Sequence, residues 1–163
     1  MKGFWKWLSW VFLIVSLGLI LALTLQNPEG TMELSGGFLE ELIRLVQKLG
    51  VSKEWMNAAW WNDPGHIRKV GHVLEYFILG LSAAFLFCRK GKRFVGKALL
   101  FCAVVSLLDQ TLKEILPTRH FDVTDLPFDL IGYGCGILVV LIGWGIGRLV
   151  KGRKKQHNME LKE

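Results

Sequence analysis

WLSWVFLIVSLGLILALTL, residues 7–25, holds no ionisable side chain in nineteen consecutive positions. A bilayer hydrocarbon core about 30 Å thick is crossed by about 20 helical residues, so this stretch alone is long enough to span a membrane. Lys2 and Lys6 precede it, and Trp5, Trp7 and Trp10 gather at its start, where amphipathic rings favour a headgroup boundary. A secretory signal peptide could open in the same way. However, the run exceeds the usual apolar core of about 7–15 residues, and no small-x-small cleavage site follows it. A retained helix is expected.

Three further apolar blocks lie beyond it, at residues 73–87, 94–108 and 128–150. The middle two reach membrane thickness only when their polar ends are included. They account for a composition of 52% hydrophobic residues in 163, with a mean hydropathy of +0.36, well above a soluble average. The sequence therefore predicts an all-α fold, an integral membrane four-helix bundle in one domain over residues 1–150. Its helices fall near 7–25, 70–88, 94–116 and 126–150, and a basic tail follows at 151–163.

The net charge of +6 is distributed in a telling way. Lys2 and Lys6 precede the first block. Arg89, Lys90, Lys92, Arg93 and Lys97 separate the second from the third. Arg148, Lys151, Arg153, Lys154 and Lys155 follow the fourth. The intervening segments are mixed in sign, as in Arg119 against Asp122 and Asp125. Basic residues concentrate on the cytoplasmic side of membrane proteins, so both termini are expected there. This accounts for the charge without nucleic acid as a partner. Residues 152–163 read as a disordered tail with anionic membrane lipid beside it.

Between the first two blocks, Asn27-Pro28-Glu29-Gly30 signals a turn. Phe38, Leu39, Leu42, Leu45, Val46 and Leu49 then recur at helical spacing. This predicts an amphipathic helix over about 37–49 in the first extracytoplasmic loop, lying on the membrane surface. Trp55, Trp60 and Trp61 add a second interfacial contact. These elements either pack over the bundle or act as a substrate lid. Cys88, Cys102 and Cys135 lack C-x-x-C spacing and read as small packing residues. Asp129, Gly132, Gly136, Gly143 and Gly147 form one stripe that lets helix backbones approach closely, which turns Asp129 into the bundle.

The ionisable residues of the membrane segments gather at one end. His72, Glu75 and Tyr76 stand at i, i+3 and i+4, with Lys69 one turn earlier. Asp109 and Lys113 are four apart, as are Asp125 and Asp129. Charges in membrane helices are costly, and are kept for interior pairing or for function. A structural reading makes them an ion-pair network, with Lys69, Lys113 and Arg119 neutralising Glu75, Asp109, Asp125 and Asp129. A chemical reading makes His72 a general base, with Glu75 or Asp109 orienting it or acting as acid, and Asp129 also handling protons. Arg119 and Lys69 would grip an anionic phosphate or carboxylate, with Tyr76 and Asp125 also lining the substrate site. A metal held by His72, Glu75, Asp109 and Asp129 would lack a second spaced histidine or a cysteine pair, so no metal and no cofactor are expected. G-x-S-x-G, phosphate-loop and zinc-protease motifs are absent.

Arg68-Lys69-Val70-Gly71-His72-Val73-Leu74-Glu75-Tyr76 resembles the R-K-x-x-H-x-x-E-Y motif of VanZ-like membrane proteins. Asp109, Pro117-Thr118-Arg119, Asp125, Asp129 and Gly132 resemble the family's D-E-x-x-Q-x-x-x-P-x-R and D-x-x-x-D/N-x-x-G at matching spacings. The resemblance covers about residues 5–150. Gln110 stands where the family usually has glutamate, and Lys113 where it usually has glutamine. The resemblance implies the bacterial cytoplasmic membrane, a cell-envelope role such as binding a lipid-linked cell-wall precursor, and a link to resistance to the glycopeptide teicoplanin. It does not decide between an enzyme and a non-enzymatic scaffold or small transporter.

Overall fold

The computed structural model describes residues 2–26, 37, 41, 44, 48, 64–88, 91, 93–117 and 122–160. Four long helices carry most of them: α1 Lys2–Leu25, α2 Pro64–Phe87, α3 Phe94–Ile115 and α4 Asp125–Glu160. Each holds a stretch long and apolar enough to cross a membrane, at Lys6–Leu25, Arg68–Phe87, Phe94–Ile115 and Asp125–Val150. The expected all-α four-helix bundle is what forms. Of the expected surface helix at 37–49, residues 37, 41, 44 and 48 are described and helical, with Arg44 3.0 Å from Glu41. The rest of that helix lies outside the described residues, as do Trp55, Trp60 and Trp61.

Two boundaries differ from expectation. α2 starts at Pro64, a residue suited to a first helical turn because the missing N–H has no partner there in any case. α4 continues to Glu160, so the tail read as disordered is helical over residues 151–160. That segment, KGRKKQHNME, is polar but rich in good helix formers. It extends a helix already nucleated in the apolar span, so no new initiation step is needed. At 1.5 Å per residue, the 36 residues of α4 run to about 54 Å, well beyond a hydrocarbon core of about 30 Å.

α2 is the central element and packs against all three others. On α3 the buried residues are Phe94, Ala98, Cys102, Ser106, Asp109, Gln110 and Lys113, one face at steps of three and four. The opposite face exposes Leu100, Val104, Leu107, Leu108 and Ile115. α1 likewise buries Ser9, Leu13, Ser16, Ile20 and Thr24 and exposes Trp7, Ile14, Val15 and Leu21. Apolar exposure on this scale suits lipid rather than water. Ser16 and Ser82 lock α1 to α2 through hydroxyls 2.9 Å apart. Near the opposite end from the charged cluster, Phe94 and Trp144 join α3 to α4 with ring centroids 5.5 Å apart.

The glycine stripe divides in two. A Cβ on Gly136 would lie 2.7 Å from the Leu81 backbone nitrogen, and one on Gly132 3.0 Å from the Tyr76 Cβ. A Cβ on Gly80 of α2 would lie 2.6 Å from the Tyr133 Cα. Backbones of the parallel helices α2 and α4 therefore touch at this level. Gly143 and Gly147 have nothing within 4 Å, so close approach is confined to the upper part of α4. That contact places the first turns of α4 against the first turns of α2.

Candidate functional site

The site lies where α1 and α3 end and α2 and α4 begin. α2 runs Arg68, His72 and Tyr76 down one face at four-residue steps, and α4 faces it with Asp125 and Asp129, also four apart. The His72 ring sits between the two carboxylates. Its Nε2 is 3.2 Å from Asp125 Oδ2 and its Nδ1 3.1 Å from Asp129 Oδ1. Arg68 donates to Asp125 at 2.5 Å and lies 3.7 Å from Asp122. The guanidinium is half exposed while Asp125 is 1% exposed, so Arg68 forms a rim over a buried acid. From α3, the Ser106 hydroxyl donates to the other oxygen of Asp129 at 2.7 Å.

A second cluster surrounds Asp109. Lys113 Nζ is 2.8 Å away, and both side chains are buried. Tyr76 donates its phenolic O–H to Asp109 at 3.2 Å, and the Thr24 hydroxyl donates to the other carboxylate oxygen. Tyr76 also stacks on His72 with centroids 6.3 Å apart, joining the two clusters. Glu75 is half buried beside Gly71, its Oε1 3.9 Å from where a Cβ there would stand, within electrostatic reach of His72 and Lys113.

Of the expected residues, His72, Tyr76, Asp109, Asp125 and Asp129 converge, and Lys113 pairs with Asp109 as the ion-pair reading expected, but His72 is met by Asp125 and Asp129 rather than by Glu75 or Asp109. Asp125 and Asp129 hold His72; Asp109 instead anchors Lys113, Tyr76 and Thr24. Lys69 does not join the acids: its ammonium sits 5.3 Å from the centroid of the Phe128 ring, a cation–π contact. Arg119 lies outside the described residues. Among the described residues, no three His, Cys, Asp or Glu side chains converge as metal ligands would.

Several participants were not among the expected site residues. Arg68 had a signal in its four-residue spacing to His72. Ser106 and Gln110 extend the buried face of Asp109, at three before and one after it. Thr24 had none, since a lone hydroxyl in an apolar run looks like packing. α1 therefore also supplies a hydrogen bond to the site.

One property sets this end apart. Among the described residues, five buried side-chain polar atoms lack a hydrogen bond: His72 Nδ1, Asp129 Oδ1, Lys113 Nζ, and both Nε2 and Oε1 of Gln110. All five belong to this site. Three of them still feel an opposite charge, His72 Nδ1 facing Asp129 Oδ1 and Lys113 facing Asp109, but at angles that miss hydrogen-bond alignment. Gln110 is fully buried with neither end of its amide met. Leaving a buried polar group unmet costs about 1–3 kcal/mol, and native interiors avoid it.

The VanZ/LLP1 family model matches residues 9–144, which include every member of both clusters, and the chain belongs to that family. No curated protein and no solved structure matches the chain.

Proposed function

We propose that this VanZ/LLP1 protein is a multi-pass protein of the bacterial cytoplasmic membrane with both termini cytoplasmic. Its polar site then opens on the extracytoplasmic side and binds or modifies an anionic cell-envelope component, for which a lipid-linked cell-wall precursor is a fitting class. Altered susceptibility to glycopeptides such as teicoplanin follows from that role. The basic residues flanking α1, α2, α3 and α4 support the orientation, because they accumulate at the end opposite the site.

The observation that carries the reading is the concentration of buried charged and amide groups at one end of the bundle, His72, Asp109, Gln110, Lys113, Asp125 and Asp129, with both amide atoms of Gln110 unpartnered. His72, held between Asp125 and Asp129, would take and return a proton. Glu75 and Asp109 complete the acid–base set, and Asp129 fixes the imidazole from below. Arg68 and Lys69 at the rim, with Arg119 from the sequence between α3 and α4, would meet the anionic group on entry. Tyr76 would line the floor.

A second reading has its own support. Arg68 with Asp125, and Lys113 with Asp109, are buried or half-buried ion pairs of the kind that fix helix order in a non-enzymatic scaffold or small transporter. Conservative substitutions separate the two. In cells producing matched amounts of protein, His72→Gln and Arg119→Lys should abolish the effect on teicoplanin susceptibility while leaving membrane accumulation intact. A joint fall in accumulation and melting temperature favours the scaffold.

A further inference from the structure

The acid–base set leaves one member of the site without a task. Gln110 is fully buried, and its two amide atoms supply two of the five unmet positions. Lys113 stands three residues further along the same buried face of α3. Its ammonium has three donors, and Asp109 at 2.8 Å occupies one direction. Glu114, Ile115 and Pro117, which follow at once, are exposed, so the pair lies within about one turn of the end of the bundle.

We propose that Gln110 and Lys113 form a recognition pair for an anionic group that carries a hydroxyl or amide next to its charge. This rests on the reading of the site as a ligand site. A bare anion would use the donors of Lys113 and of Gln110 Nε2, yet leave the acceptor Gln110 Oε1 unmet. A hydroxyl or amide N–H beside the anionic oxygen satisfies it. Gln110 is therefore a specificity residue rather than an anchor for charge. Were it only filling space, a leucine would fill it without an unmet amide.

The test uses the full-length chain in neutral detergent, with lipid retention read by native mass spectrometry and unfolding by a melting curve. The probes are phosphatidylglycerol, whose phosphodiester carries a hydroxylated group, phosphatidylmethanol, a phosphodiester of the same charge without a hydroxyl, and free glycerol 1-phosphate. The wild type should retain phosphatidylglycerol up to about tenfold better than phosphatidylmethanol, the worth of about one good hydrogen bond. Gln110→Leu should erase that preference and melt no lower than the wild type without lipid. The charge-balanced double variant Asp109→Asn with Lys113→Gln, chosen because Lys113→Gln alone strands a buried acid, should lose retention of both lipids. Competition by glycerol 1-phosphate supports recognition of the headgroup alone; failure to compete supports recognition of the intact lipid. Equal retention of the two lipids by the wild type, or a preference surviving in Gln110→Leu, overturns the proposal. If that happens while His72→Gln still abolishes the cellular effect, only this inference fails. If His72→Gln is also silent, the ligand-site reading fails with it.

Discussion

Removing the ammonium of Lys113 tests how the interior balances its charges. Lys113 and Asp109 lie 2.8 Å apart with side chains 3% and 5% exposed. At an effective dielectric of about 20, that separation corresponds to a gross attraction of about 6 kcal/mol. Desolvation of both ions offsets much of it, so the pair's net worth is small. Breaking the pair is another matter, because Lys113→Met leaves the Asp109 carboxylate buried with only the hydroxyls of Tyr76 and Thr24 to meet it. The expected cost is about 3–5 kcal/mol. Adding Asp109→Asn removes the stranded charge, and the double variant should lie within about 1–2 kcal/mol of the wild type. The coupling between the two sites would then exceed about 2 kcal/mol. The assay is equilibrium unfolding in mixed micelles by SDS titration, followed by tryptophan fluorescence, since Trp144 packs on Phe94 inside the bundle. Additive losses in the double variant, or a Lys113→Met loss below about 1 kcal/mol, would refute the reasoning.

Three further outcomes are expected. Gly136→Val drives a methyl into the Leu81 backbone and should remove most monodisperse protein from size-exclusion profiles, whereas Gly143→Ala, with open space around it, should change stability by less than about 0.5 kcal/mol. Ser16→Ala and Ser82→Ala should each cost about 0.6–1.7 kcal/mol by SDS titration and be non-additive, because they share one interhelical hydrogen bond. A topology reporter fused after Gly91 should register as cytoplasmic and one at Asp122 as extracytoplasmic; the reverse pattern contradicts the proposed side of the site.

The helices were legible because their physics is written in contiguous apolar length, which no tertiary contact has to confirm. The end at which the charges gather was legible for the same reason: Asp109 falls late in its helix, while His72 and Asp129 fall early in theirs. Rotation was harder to read. Lys69 and Arg68 are adjacent, about 100° apart around α2, and only packing decides that Arg68 meets Asp125 while Lys69 lies on Phe128. The pairing of His72 with Asp125 and Asp129 depends on how far α2 and α4 slide along each other, which is set by backbone contact at Gly80, Gly132 and Gly136. Five glycines or small acids at helical spacing did not disclose that only the upper ones are used. Composition alone misjudged residues 151–160, since a polar segment continues a helix readily once its first turns are fixed. Thr24 could be identified only once α1 was placed against α3.

The most direct test of the ligand-site account is an experimental structure of the full chain in nanodiscs containing phosphatidylglycerol. The account predicts headgroup density within hydrogen-bonding distance of Lys113 Nζ and the Gln110 amide, with His72 still held between Asp125 and Asp129. A closed interior in which Gln110, Lys113, His72 and Asp129 satisfy one another, with no lipid among them, would contradict it.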